Sequence, residues 1–498
     1  MKRMRSAQVL SISALLGAAV PAAGCRRGCT GPGCDGTFNA GLIAVHLGDD
    51  DRGRGLVEPL ESWASLRGGE DLGPNLAAAL TPDTLWIGSP RLEAVTRVGL
   101  RGGAGLRLAE MPAASIRTTR AGDRFGDRIE LLPDLDGDGD DELMVSSPSW
   151  PRTDAARESG AVHIFSGLDL ARADGLPTSG LSTQDALLRV EGAENGARLG
   201  EVFAGCPDMD GDGRGELLVA SPWAQGDSAL EGAVALLPSS ALLRVEGPLD
   251  ASTAPWRWTG GGVGWRAGSA LSCTHDLIGD PTPDLVIGVP FADAAHEASG
   301  QVWILDGAAL PASGPLTETG ALVLEGPGTD AWAGWSLATG DLDGDGAVDL
   351  VVGAPGAPAP RDAGGEAAGL ALIYDGAALR RGDPHPRVRV RAAETGDALG
   401  RAVAMVDLNV DGYDDVLVGA PRRNPEPDST AFFDSGAMYV FFGAPRWTSL
   451  RPGVDPNDAD QTWTQSRQYL RTGQKITVGD VNDDGFPDIA LHHRVEPN

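Results

Sequence analysis

The sequence predicts an all-β fold assembled from copies of one four-stranded unit. Three observations carry this reading. An acidic turn of fixed spacing recurs along the chain, and each copy runs straight into a short apolar segment. The prolines that close those segments (Pro148, Pro222, Pro290, Pro355 and Pro421) lie 65 to 74 residues apart. Such a period is too long for the common helical solenoids and suits four strands with generous loops. With 70 Gly and only 5% aromatic residues in 498, the composition fits turn-rich strands rather than long helices.

The clearest copy spans residues 134–148 (DLDGDGDDELMVSSP). Asp134, Asp136, Asp138 and Glu142 take positions one, three, five and nine of the turn, with Gly137 and Gly139 between them. This spacing suits a tight loop around a hard cation: carboxylate oxygens converge from alternate residues, glycine permits positive φ, and a carbonyl near Asp140 completes the shell. Asp208, Asp210, Asp212 and Glu216 repeat the pattern. So do Asp341, Asp343, Asp345 and Asp349; Asp407, Asn409, Asp411 and Asp415; and Asp480, Asn482, Asp484 and Asp488. One copy is degraded, keeping Asp276, Asp280 and Asp284 but carrying Ile278 and Pro281. Residues 84–90 (TLWIGSP) keep the apolar run alone, which makes seven copies.

A single acidic turn is common and usually just solvated, whereas five in register with one apolar run are not. An EF-hand would need a bidentate Glu at position twelve and a long amphipathic helix after it. Position twelve here is Val145, Val219, Val352, Val418 or Leu491, and the segment after it is short and β-branched. A β-hairpin turn fits instead. Oxygen-only ligands in a flexible loop favour Ca²⁺ over Zn²⁺ or Mg²⁺, at about five sites with a structural role.

These motifs resemble the FG-GAP repeats of integrin α-subunit propellers and their bacterial relatives. FG stands at Phe125-Gly126 and, loosened, at Leu199-Gly200, Ala333-Gly334 and Leu399-Gly400. GAP is literal at residues 353–355 and 419–421, with Ser147-Pro148, Ser221-Pro222 and Val289-Pro290 as variants. The resemblance covers nearly the whole chain after its leader. It implies a β-propeller of four-stranded antiparallel blades and adds backbone carbonyls at Asp140, Arg214, Ala347, Tyr413 and Phe486 to the cation ligands.

Blade by blade, a first strand carries the loosened FG, the acidic turn reverses it, and a second strand ends in GAP. Third strands are residues 160–167, 232–239, 300–307, 369–376 and 436–443; fourth strands are expected at 186–192, 241–247 and 321–326. Residues 41–48 (GLIAVHLG) match the third-strand series, yet no acidic turn precedes them, while the last turn is followed by a single apolar run. The two fragments are complementary. N-terminal strands should therefore complete the last blade, giving seven blades and no exposed edge.

Strand alternation puts the loops between second and third strands on the face opposite the acidic turns. In integrins that is the face where ligands dock. Trp150, Trp223, Phe291, Phe432 and Phe433 lie in those loops, either as exposed anchors for a protein or glycan partner or as seals of the core beneath. Trp256, Trp258, Trp265, Trp332 and Trp335 flank the connection into the next first strand and read as packing residues.

Residues 1–24 read as an export signal, with Lys2, Arg3 and Arg5 before an apolar stretch too short to span a bilayer. Small residues before Cys25 resemble a lipobox, so Cys25 is the expected lipidation site; Ala22 stands where Leu is usual, so ordinary cleavage stays open. With Arg26 rather than an acidic residue directly after Cys25, an outer-membrane or surface anchor is expected, periplasmic or secreted states being the alternatives, and that lipid is the expected contact with membrane. Residues 25–38 form a Cys- and Gly-rich tether, and 39–498 the propeller. Cys206 and Cys273 occupy near-equivalent points in adjacent repeats and can form a bridge or remain thiols.

The net charge of −30 argues against nucleic-acid binding. The seven His are scattered, and no GxSxG, HExxH or phosphate-binding glycine loop is present. The expected function is therefore non-enzymatic: adhesion or recognition at the cell surface, with an envelope scaffold or a hydrolase at the propeller centre as alternatives.

Overall fold

The computed structural model describes residues 41–46, 63–67, 77–81, 84–90, 93–99, 115–153, 157–167, 180–226, 229–244, 247–358, 367–392, 394–424, 434–445, 447, 453–464, 471–480 and 486–494. Residues 1–40, with Cys25 and the tether, lie outside them, as do Phe432, Phe433, Asn482 and Asp484.

The described chain is all-β apart from short helical turns, and its strands form seven sheets of four or five. In each of six, four strands meander outward in chain order. One begins at Ile129–Leu132, turns through the first acidic loop into Glu142–Ser147, and continues through Ala161–Phe165 to Leu188–Glu191. Second and third strands of five sheets are buried at every residue, as the apolar runs require of strands covered on both faces.

The seventh sheet joins the two ends of the described chain. Gly41–His46 pairs antiparallel with Asp488–Arg494 in the register Ala44↔Leu491, and Trp63–Arg67 lies outside it. First strands pack side by side through the chain order, and Ile476–Gly479 touches both Val403–Val406 and Ala77–Thr81.

The fourth strands need one correction. Residues 186–192 and 241–247 are the same heptapeptide, ALLRVEG. The first contains the strand Leu188–Glu191, but the second opens in a helical turn, Ser239–Leu242, led by Pro238. The fourth strand of that sheet is Trp256–Thr259, in which Trp258 is fully buried, so this pair belongs to a strand rather than a connection. Proline ahead of the first turn starts a helix there, and WRWT offers the aromatic, alternating pattern of an outer strand.

Four sheets also gain a fifth, two-residue strand that the repeat pattern does not announce. Leu181–Ser182, Leu249–Asp250, Gly314–Pro315 and Gly453–Val454 each pair in parallel with the fourth strand of the preceding sheet. These staples cover an outer edge.

The joint between sheets rests on glycine. Gly160, at φ +86°, bridges Leu199 of the next unit, and a Cβ there would sit 2.2 Å from the Leu199 carbonyl oxygen. Gly232, Gly300, Gly369 and Gly436 make the same bridge, each ahead of a third strand. A further tie is a disulfide between Cys206 and Cys273, at the ends of adjacent first strands, with Cα atoms 5.3 Å apart.

Candidate metal centre

Each acidic turn starts as a first strand ends, and its ninth residue opens or immediately precedes the second strand. The apolar run thus pulls that carboxylate inward while the carboxylates at positions one to five, Asp343 excepted, stay nearer solvent. Glu142, Glu216, Asp415 and Asp284 are fully or almost fully buried, and Asp349 is 4% exposed.

Backbone N–H groups hold the loops open around their carboxylates. Asp134 accepts from Gly137 and Gly139 at 2.8 and 3.2 Å, and Asp208 from Gly211 and Gly213 at 2.7 and 2.8 Å. Asp341 accepts from Gly344 and Gly346 at 2.7 and 3.0 Å. Positive φ at Gly137 and Gly139 lets those amides turn inward. The position-five carboxylates of Asp138, Asp212, Asp345 and Asp411 each accept from the residue two further on.

Position nine ties the loop to its own strand. Glu142 Oε2 accepts from the Leu135 amide (2.6 Å) and Glu216 Oε2 from Met209 (2.7 Å). The other oxygen distinguishes glutamate from aspartate. In Asp349 and Asp415 it accepts from Gly376 and Gly443, both at 2.7 Å, so both oxygens are satisfied. In Glu142 and Glu216 the Oε1 atoms are buried without a hydrogen-bond partner. An orphaned buried carboxylate oxygen is costly unless a cation completes it.

Oxygen atoms gather accordingly. Asp208, Asp210, Asp212 and Glu216 bring ligand oxygens within 4.8 Å of one another, as do Asp134, Asp136 and Asp138, and Asp341, Asp343 and Asp349. These residues fit a hard dication, best in the 208–216 loop, where all four gather; Glu142 and Asp345 are not among the groups so gathered. Asp407, Asp411 and Asp415 are not among the groups so gathered; there the buried Asn409 Oδ1 lacks a partner. Of the last loop, Asp480, Phe486 and the buried Asp488 are described.

Electrostatics points the same way. Burial first, then the neighbouring aspartates, pushes Glu142 up to about 7 and Glu216 up to about 8. Burial likewise lifts Asp349 and Asp415 to about 7. A bound dication would hold all four ionised.

The degraded loop holds a group that the repeat pattern missed. Asp280 and Asp284 meet Asp306, which follows the third strand Gln301–Leu305, while Asp276 faces Arg380 at 3.3 Å. Only the third-strand ending LDG, matching YDG at 374–376, signals Asp306 in the sequence.

Of the aromatics in the second-to-third loops, Trp150, Trp223 and Phe291 are described. Trp150 is not an exposed anchor: it is 3% exposed, lies beneath Arg120 and Arg189, and gives its indole N–H to Glu191. The buried run that starts at Glu142 carries the chain inward past Ser147, and Trp150 follows it. Trp223 and Phe291 are half-buried, with Arg266 over both rings.

Four-stranded sheets threaded through aspartate-lined hairpin turns define a repeat protein of the propeller-blade class. The chain carries FG-GAP repeats: residues 333–374 and 399–441 match that family's model. It is 29% identical to integrin alpha-PS2 of Drosophila melanogaster over 170 residues, 32% of this chain and 10% of that protein. Phosphatidylinositol-glycan-specific phospholipase D of Bos taurus is 32% identical over 163 residues, 32% of this chain and 18% of the enzyme. The Mus musculus enzyme is 25% identical over 340 residues, 64% of this chain and 38% of its own length. The chain therefore spans well under half of these relatives.

Proposed function

We propose that the chain is an exported, Ca²⁺-stabilised β-propeller of seven blades whose role is recognition rather than catalysis. The observation that carries this is the acidic hairpin turn, repeated at the same point of successive sheets, and above all the buried, unpartnered Glu216 oxygen gathered with Asp208, Asp210 and Asp212. Pairing of Gly41–His46 with Asp488–Arg494 and the neighbouring first strands support a closed ring. The integrin α matches support recognition. Among the described residues no helix is long and apolar enough to cross a membrane, and a lipid on Cys25 would supply the anchor.

The test is a pull-down from envelope extract with the full chain, with Ca²⁺ and with EDTA. A partner retained only with Ca²⁺ supports the reading; calorimetry that detects no Ca²⁺ binding refutes it. The phospholipase D matches favour a hydrolase as a second reading, and phosphodiester turnover by the purified chain would put it first.

A further inference from the structure

The two ends of the first strands differ sharply in charge. One end runs into the acidic turns. The other follows the loosened FG; Arg128, Glu201, Ser269, Trp335 and Lys475 stand just ahead of their strands there, and Arg401 two residues ahead of its own. In a chain of net charge −30 this rim gathers cations. Burial lowers the Lys475 pKa, Asp127 opposes it, and Arg128, Arg124 and Arg401 add to the lowering. Burial, with Arg422 and Arg471, brings Arg401 down to about 10.

Most of these cations already have acids. Arg124 pairs with Asp127 at 2.7 Å, Arg128 with Glu130 at 2.8 Å, Arg198 with Glu158 at 2.8 Å and Arg471 with Asp434 at 3.2 Å. Arg266 and Arg401 do not: among the described residues neither has a carboxylate partner. Both are nevertheless fixed. Arg401 lies 4.0 Å from the Trp335 ring centre, and Arg266 lies 4.0 Å from Trp223 and 4.8 Å from Phe291. Phe291 and Trp335 meet edge to face at 6.1 Å, so the two arginines belong to one stripe. Stacking consumes the faces of the guanidinium and leaves its N–H edge free, the arrangement that grips a planar carboxylate.

We propose that this rim is the docking surface for an acidic peptide segment, with Arg266 and Arg401 each receiving an Asp or Glu carboxylate. The proposal rests on the recognition reading above and narrows it from protein or glycan to an acidic protein segment. A sugar needs open aromatic faces, but Arg198 and Arg266 lie over Trp223, Arg266 over Phe291 and Arg401 over Trp335.

The test uses the Ca²⁺-loaded full chain and fluorescence titration with hexaglutamate, hexalysine, trigalacturonate and inorganic phosphate. Hexaglutamate is expected to bind at least tenfold more tightly than the other three. The Arg266→Gln/Arg401→Gln double variant should lose at least tenfold in hexaglutamate affinity while keeping its Ca²⁺-dependent melting. Arg401→Lys keeps the charge without the planar fork and should lose several-fold. Failure of hexaglutamate to bind, preference for hexalysine, trigalacturonate or phosphate, or equal affinity in the folded double variant overturns the proposal. If an envelope partner is retained equally by wild type and double variant, this proposal falls while the recognition reading stands.

Discussion

Replacing Glu216 by Gln should change stability in opposite directions with and without Ca²⁺. Glu216 is 1% exposed, its Oε2 is held by the Met209 amide, and its Oε1 has no partner among Asp208, Asp210 and Asp212. In the metal-free protein its pKa is raised from 4.5 to about 8. A group with a raised folded pKa contributes stability that is full below its unfolded pKa and lost as pH rises through the folded value. Metal-free wild type should therefore weaken between pH 4.5 and about 8, to a degree on the order of 1–3 kcal/mol once the exposed aspartates relax. Gln keeps the hydrogen-bond acceptor and never ionises, so Glu216→Gln should melt higher than wild type in EDTA at pH 7.

With free Ca²⁺ near a hundred times Kd the order reverses, because losing one site forfeits about 2.7 kcal/mol, a few degrees in a chain this long. Circular dichroism melts of both proteins under both conditions decide the matter. A shift of the same sign in EDTA and in Ca²⁺ would refute the idea that this carboxylate waits for a cation.

Three further outcomes rest on the geometry. His163 is fully buried with neither ring nitrogen bonded, and burial lowers its pKa to about 3. The unfolded chain takes up that proton first, so stability should fall by about 1.4 kcal/mol per pH unit as pH drops from 6.5 towards 3; His163→Phe should flatten that limb of a Tm-against-pH plot. The Cys206–Cys273 bridge spans a sequence separation of 67, and the Cys206→Ser/Cys273→Ser variant should lose about 4 kcal/mol in urea melts by loop-closure entropy. Gly160→Ala forces a Cβ against Leu199 at φ +86° and should cost roughly 1–3 kcal/mol, read in the same melts; a variant as stable as wild type would show that the inter-sheet joint is soft.

Legibility in the sequence tracked how local the cause was. The acidic turns announce themselves because ligand spacing, glycine and the adjoining apolar run lie within a dozen residues. Asp306 escaped because it reaches the 276–284 loop from a different strand. For Trp150, Trp223 and Phe291, whether the ring faces water depends on Arg120, Arg189 and Arg266, which lie far from them in the sequence. The two-residue parallel staples were invisible, since so short a strand has no periodicity to detect.

By itself the sequence determined the repeating unit, its strand-turn-strand order and the residues able to meet a cation, because all of these are written in short-range spacing. Tertiary structure alone decided which carboxylate oxygens were left unpaired and which arginines kept a free edge. Those outcomes depend on neighbours brought together from distant repeats, and burial assigns their energies only once the sheets have packed.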